Sequence, residues 1–403
     1  MSTIMMAHPK TSLRTHPLPS ASRGFTLVEL MVGMLLGLIT VLVASQVLLQ
    51  TESRKRTSTA GSDATTTGAM GLYTIERDAR NAGYGMTAQL AVLGCEIRMQ
   101  FAGNPTETFT LAPVTITQGA NGTPDTIRFM ASNKEGVPVP IRVAVDHPRT
   151  AANFFVQSDL GVEEGDIMLA VPATPDPNNW CSLFQVTNNP NPGGGGGNQG
   201  GGQGQNQVLH NSGQSNWNQP GGQTIFPVDG YPAGSTVLNL GTFSLRTYSV
   251  VNNGMQLGWL DTGTGITQLN QLYPDVIQLQ AQYGLDLTAD NVVNVQDADW
   301  LDNATPAQMA SVVAIRVAVV TRSNVQEKPE LDANGDPIPL TVTSTDAACQ
   351  NPATKDPRAV CWAGGAINAL NTNNPGPTDW QQYRYRVFET VIPLRNMIWP
   401  QQN

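Results

Sequence analysis

The chain has 403 residues and a mass of 43.0 kDa, with 40% hydrophobic but only 13% charged residues, about half of the usual ~25% charged share. Gly (39) and Pro (28) are abundant, and 22 basic against 31 acidic residues leave a net charge of −9 and a pI near 4.9. A low-charge, Gly/Pro-rich chain of this length reads as one large or two to three small β-rich, extracytoplasmic domains rather than a helical cytosolic enzyme, and it has no global basic footprint for nucleic acid.

The first 24 residues carry Lys10, Arg14 and Arg23 and no acid, so the remainder holds 19 basic and 31 acidic residues, a net −12. Residues 25–49 then form a 25-residue apolar run with a single charge, Glu29. As a helix the run spans roughly 37 Å, enough to cross a bilayer core of about 30 Å. A secretory signal peptide has a shorter apolar region, with its cleavage site behind it; here the run is too long, and the candidate cut at Gly24 precedes it. A carboxylate five residues into such a helix is costly unless paired. The cation that the sequence places nearby is a free amine on Phe25, created by a cut after Gly24. Gly33 and Gly37 form a small-xxx-small pair suited to close helix contact. Arg54, Lys55 and Arg56 follow the run, so the positive-inside count is nearly a tie.

A basic leader ending in Gly24, then Phe25-Thr26-Leu27-Val28-Glu29-Leu30 and a long apolar helix, resembles the class III signal of type IV pilins and pseudopilins. The resemblance implies that a prepilin peptidase of the inner membrane cuts between Gly24 and Phe25 and N-methylates Phe25. It also implies that Glu29, the fifth mature residue, pairs with a neighbouring subunit's terminal amine during assembly. It places the leader in the cytoplasm.

Residues 51–67 are rich in Thr, Ser and Gly, weak helix formers. Helical periodicity returns around 70–83, where Leu72, Ile75, Ala79 and Ala82 share a face and Gly83 and Gly85 supply stops. The expected helix therefore runs over 25–82 with a soft middle, and its second half lays an apolar face on a head formed by 83–403. The run Ile75-Glu76-Arg77-Asp78-Ala79-Arg80-Asn81-Ala82-Gly83-Tyr84-Gly85 resembles the PilW-type minor pilins. Short alternating runs predict strands at 125–130, 137–145, 165–171, 182–187, 236–240, 243–251, 276–284, 312–323 and 383–396; several of these are also PilW-like. Between the two sets, residues 188–223 are a Gly/Asn/Gln stretch that cannot bury a core and reads as a mobile loop or linker, either dividing two lobes or, the preferred reading, inserted in one sheet. Trp217, its one large aromatic, reads as an incidental loop residue.

Candidate chemistry is sparse. Beyond the leader the histidines are His147 and His210, which argues against a His-based metal site or a Ser-His relay. Four cysteines allow three pairings. The 11-residue, breaker-rich loop between Cys349 and Cys361 favours local closure, which leaves Cys95 with Cys181. Asp332, Asn334 and Asp336 alternate like the start of a calcium loop. The downstream bidentate Glu is missing, and a hairpin turn on Asn334-Gly335 accounts for the pattern better. Asp286, Asp290, Asp297 and Asp299 suggest an acidic surface loop or a weak cation site. No nucleotide loop or nucleophile elbow is visible, so no cofactor is expected.

The expected fold is α+β: a long N-terminal transmembrane α-helix followed by a large antiparallel β-rich, pilin-like head. By resemblance, the chain is a minor pilin that acts by helix packing and not by catalysis. Its partners would be prepilin peptidase, other minor pilins, the major pilin and a pilus-tip adhesin, in pili serving twitching, adhesion or DNA uptake. It would sit in the inner membrane as a single-pass protein with its head in the periplasm, then in the tip region of the pilus. The rival readings are a type II secretion pseudopilin and a pilus-displayed adhesin or receptor. The mature charge disfavours general nucleic-acid binding.

Overall fold

The computed structural model describes residues 24–87, 89–134, 139–176, 178–187, 206–288, 292–294, 298–370 and 379–401. The leader up to residue 23, the Gly-rich stretch 188–205, Asp290 and Asp297 lie outside them. The chain divides into two compact units, with the boundary in sequence between Arg56 and Thr57.

Helix α1 (Leu27–Asn81) is continuous, so the soft middle expected from composition is absent. The Thr residues in it satisfy their hydroxyls on the preceding turn, as Thr65 does on the Gly61 carbonyl and Thr66 on that of Ser62. Within the second unit, Ala60, Ala64, Gly68, Gly71, Ile75 and Ala79 form a buried stripe at helical spacing. A side chain at Gly68 would collide with the Phe388 ring. Thr321 Oγ1 donates to the Ala64 carbonyl at 2.9 Å. Close approach to the sheets thus outweighs the ~1 kcal/mol propensity cost of each Gly. Gly83 and Gly85 end the helix at positive φ.

Among the described residues the head is built on three main sheets. The first orders β2 (Glu107–Thr110), β1 (Glu96–Met99), β8 (Cys181–Gln185), β7 (Ile167–Val171), β10 (Thr236–Gly241) and β5 (Ile141–Arg142). Its β1–β8 pair is parallel and its other pairs are antiparallel. The second, antiparallel, orders β13 (Ile266–Pro274), β12 (Gly254–Asp261), β11 (Ser244–Val251), β4 (Thr126–Ala131) and β3 (Val114–Thr117). The third, antiparallel, orders β15 (Trp300–Leu301), β14 (Val276–Leu285), β16 (Val312–Arg322) and β21 (Tyr385–Pro393). Small two-stranded pairs are β6 (Asn153–Val156) with β9 (Asn206–Leu209), β17 (Glu330–Leu331) with β18 (Pro337–Ile338), and β19 (Cys361–Trp362) with β20 (Gly365–Ala366). One large core joins Ile75 and Ala79 of α1 to Tyr248, Leu279, Ile315 and Leu169 of the sheets.

Five expectations need correction. The segment 383–396 is not all strand: after Pro393 it turns into helix α3 (Arg395–Gln401). In 137–145 only the two residues of β5 are strand among those described. The far end of the Gly/Asn/Gln stretch is ordered, because β9 pairs with β6 and buries Val208. Trp217 in that end is a core residue, 2% exposed, with its ring edge-on to Phe101 and its Nε1 donating to the Thr262 carbonyl at 2.8 Å. Finally, Asp299 is not on a surface loop. It is fully buried and its Oδ2 accepts the Asn294 N–H at 3.1 Å.

Two disulfides join Cys95 to Cys181 and Cys349 to Cys361, across 86 and 12 residues of sequence. Loop-closure entropy assigns about 4–5 kcal/mol to the first and about 3 kcal/mol to the second. The first also ties together β1 and β8, which meet in the parallel register Ile97↔Cys181. Replacing Cys95 and Cys181 together by Ala is therefore expected to lower the urea midpoint more than replacing Cys349 and Cys361. Peptide mapping without reductant should find no free thiol. Equal midpoints would show that the long loop is already restrained in the unfolded chain.

Candidate functional site

The candidate site is the start of α1. Every residue from 24 to 52 is exposed, Phe25 at 84%. Exposed apolar residues such as Leu35, Leu38, Val41 and Leu48 run all round the helix, the pattern of a segment that is covered by lipid or by other helices. The segment is the one helix among the described residues long and apolar enough to cross a membrane, and two of its threonine hydroxyls are satisfied within the helix. Thr40 Oγ1 donates to the Leu36 carbonyl at 2.6 Å and Thr51 Oγ1 to that of Val47 at 2.7 Å, as hydrocarbon surroundings demand. A Cβ at Gly33 or Gly37 would meet nothing within 4 Å, so a partner helix can approach there closely.

Glu29 lies in the first helical turn, with Thr26 just before α1. The Glu29 N–H donates to Thr26 Oγ1 at 3.2 Å, and the Thr26 N–H and hydroxyl both reach Glu29 Oε2 at 3.4 Å. This is the reciprocal arrangement of a capping box, and its signal, Thr-x-x-Glu, was readable in the sequence. Glu29 therefore has a local task that the pilin-like reading of the motif overlooked. A carboxylate in the first turn is also favoured by the helix dipole.

A second arrangement seats the later half of α1 on the head. The Asp78 carboxylate, 8% exposed, accepts two bonds from Arg246 Nη1 at 3.0 and 3.1 Å and one from the Tyr248 hydroxyl at 2.6 Å. Burial, then the Asp78 hydrogen bond and charge, hold the Tyr248 hydroxyl protonated far above its ordinary range. Thr74 Oγ1 meets Tyr273 Oη at 2.9 Å. At the helix end, Asn396 Nδ2 donates to the Asn81 and Ala82 carbonyls at 3.3 and 2.9 Å, satisfying acceptors that a helix terminus leaves open. Asp78 and Asn396 both belong to runs singled out in the sequence, but their meeting with Arg246 and Tyr248 is a tertiary fact.

The remaining candidates separate from this site. Asp332, Asn334 and Asp336 are exposed in the turn between β17 and β18. There Asp332 Oδ1 accepts the N–H groups of Asp336 and Asn334 at 2.9 and 2.8 Å, which hold its carboxyl below the usual range. The carboxylate is thus turned onto its own hairpin. No group of three or more His, Cys, Asp or Glu suited to a metal ion occurs among the described residues. His147 and His210, 63 residues apart, meet in a buried part of the head with their Nε2 atoms 2.9 Å apart.

Comparison with known families gives two matches. Residues 244–396 match the family model of PilW, type IV pilus-assembly protein W, and residues 19–45 match the prokaryotic N-terminal methylation motif. No curated protein and no solved structure matches the chain. The first match contains Arg246, Tyr248, Tyr273, Phe388 and Asn396, the head residues that receive the second half of α1. The second contains Gly24, Phe25 and Glu29.

Proposed function

Taking this chain as a type IV pilus-related pilin of the PilW type, anchored by its N-terminal helix, we propose that it is a minor pilin that helps prime and assemble type IV pili. It acts by helix packing and not by catalysis, and it needs no cofactor. Prepilin peptidase cuts between Gly24 and Phe25 and N-methylates Phe25. Before assembly the protein crosses the inner membrane once, with its head in the periplasm. It then joins other minor pilins, the major pilin and a tip adhesin near the pilus tip, in pili that serve twitching, adhesion or DNA uptake. The observation that carries this reading is the exposed apolar helix behind a prepilin signal, on a head whose PilW-matched part holds the helix's other half.

Sequencing the N-terminus of membrane-extracted protein is expected to start at Phe25. A start near Gln46, where a conventional signal peptidase would leave it, would overturn the pilin reading. Deleting the gene is expected to remove most surface pili. Normal piliation with a block in protein export would favour a type II secretion pseudopilin instead.

A further inference from the structure

The third sheet turns one face to the main core and the other outward. On the outward face, Ile277, Ala318 and Val320 are sealed by Val360, Trp362, Ile367 and Trp380 from the segment 341–382. The seal stops short of Arg316. A cleft of about 700 Å³ opens there between edge strand β15 and the short helix α2 (Asp346–Gln350), which the Cys349–Cys361 disulfide ties to β19. Gln282, Trp300, Arg316, Gln350, Trp362 and Gly364 line it, and its volume suits a small ligand.

Arg316 is held in place from three directions. Its guanidinium carbon lies 4.8 Å from the Trp300 ring centroid and 5.5 Å from that of Trp362. Its Nε donates to Oε1 of Gln282, its cross-strand partner. The Gln282 Nε2 donates in turn to Asp302 Oδ1 at 2.5 Å. The Trp362 ring lies so close over Gly364 that a Cβ there would collide with it. Among the described residues, the two terminal nitrogens of Arg316 donate to nothing. A guanidinium anchored through its Nε with both terminal nitrogens unused matches a carboxylate bidentately.

We propose that this cleft binds a carboxylated sugar, a uronic acid either free or at the end of an oligosaccharide, with the terminal nitrogens of Arg316 on the carboxylate and Trp300 and Trp362 flanking the ring. Asp302 and Glu389 lie within Coulombic reach of Arg316. They offset its positive charge, which disfavours a polyanion such as nucleic acid more strongly than a ligand with one carboxylate. The C–H faces of a pyranose carry the partial positive charge that complements the negative face of an indole. The exposed amide of Gln350 supplies a hydroxyl partner at the rim. This binding is separate from helix-driven assembly, and either can fail without the other.

The test titrates the full chain in detergent with glucuronate, following tryptophan fluorescence. Glucose, glucuronate methyl ester and N-acetyl-diglycine serve as controls, and digalacturonate distinguishes a chain end from a free monosaccharide. Glucuronate or digalacturonate should give a saturable change, glucose and the ester none, and acetyl-diglycine a response at least about tenfold weaker. Arg316→Gln should weaken binding about 10- to 100-fold, the loss of a charge-assisted pair, and Arg316→Lys should fall between. Gln350→Ala sits at the exposed rim, so it should weaken binding several-fold with an unchanged urea midpoint, which keeps the test intact if an Arg316 variant misfolds. The proposal is overturned by the absence of any saturable change, by equal binding of acetyl-diglycine, or by wild-type affinity in Arg316→Gln.

Discussion

Replacing Glu29 by Gln is expected to leave the start of α1 intact while cutting incorporation into pili by about tenfold or more. The two tasks of this side chain separate in that substitution. A capping box accepts Gln in place of Glu, so the bonds to Thr26 survive. The charge does not survive, and in hydrocarbon an unpaired carboxylate costs about 2.5–3.5 kcal/mol. Pairing with a neighbouring subunit's Phe25 amine removes that cost and fixes the stagger between helices. Pairing within one chain is strained, because both groups sit on the same helix end. Glu29→Ala loses both tasks and should assemble no better than Glu29→Gln, whereas Glu29→Asp keeps the charge and should retain part of the activity. In all three the mature N-terminus should still be Phe25. The measurements are co-purification with partner pilins and counts of surface pili. Wild-type piliation by Glu29→Gln together with failure of Glu29→Ala would reduce Glu29 to a helix cap.

The two ends of this architecture differ in how far the sequence discloses them. The membrane-length helix, its Gly stops and the strands β4, β7, β8, β10, β11, β14 and β16 were legible because periodicity and turn residues act locally. The soft middle of α1 was misread because propensity at 51–67 is weak. What decides it is the docking of Ala60, Ala64 and Gly68 on the head, which a one-dimensional pattern does not contain. The far end of the Gly/Asn/Gln stretch was misread for a different reason. Composition averaged over 188–223 hides the four-residue strand β9 and the single anchor Trp217. In the candidate site, Gly24, Phe25 and Glu29 stand out as a local motif, and so did the overlooked cap by Thr26. The seat of Asp78 on Arg246 and Tyr248 bridges more than 160 residues of sequence, and nothing local marks it.

Acid is expected to destabilise the head between pH 6.5 and pH 4, and the His147–His210 pair is the cause. The two rings lie in an aromatic box: His147 stacks on Phe154 at 3.7 Å, and Phe184, Phe226 and Tyr231 close the sides. Both histidines are buried, at 2% and 4% exposure. Arg149 lines the small cavity at His210. The 2.9 Å Nε2···Nε2 contact is a hydrogen bond when both rings are neutral, and it is lost when two N–H groups face each other. Burial pushes His147 down to about 4, and burial with the His147 charge pushes His210 to about 3. A histidine whose folded value is depressed binds protons first in the unfolded chain, so its stabilisation is complete above pH 6.5 and declines as pH falls toward the folded value. Asp125 works in the opposite sense. Burial raises it to about 6 despite bonds from the Gly119 and Ala281 N–H groups, so it returns stability as pH falls from 6 to its ordinary value near 4. The two histidines outweigh one carboxylate, which leaves a net loss on the order of a few kcal/mol by pH 4. Exposed carboxylates held low, such as Asp356 at about 2, lose their contribution only at still lower pH. Urea midpoints followed by tryptophan fluorescence at pH 7, 6, 5 and 4.5 should therefore fall steadily. In a His147→Phe/His210→Leu variant the slope should flatten or reverse, because Asp125 then dominates the window. An unchanged slope in that variant would mean that the pair protonates without cost and that other groups set the acid sensitivity.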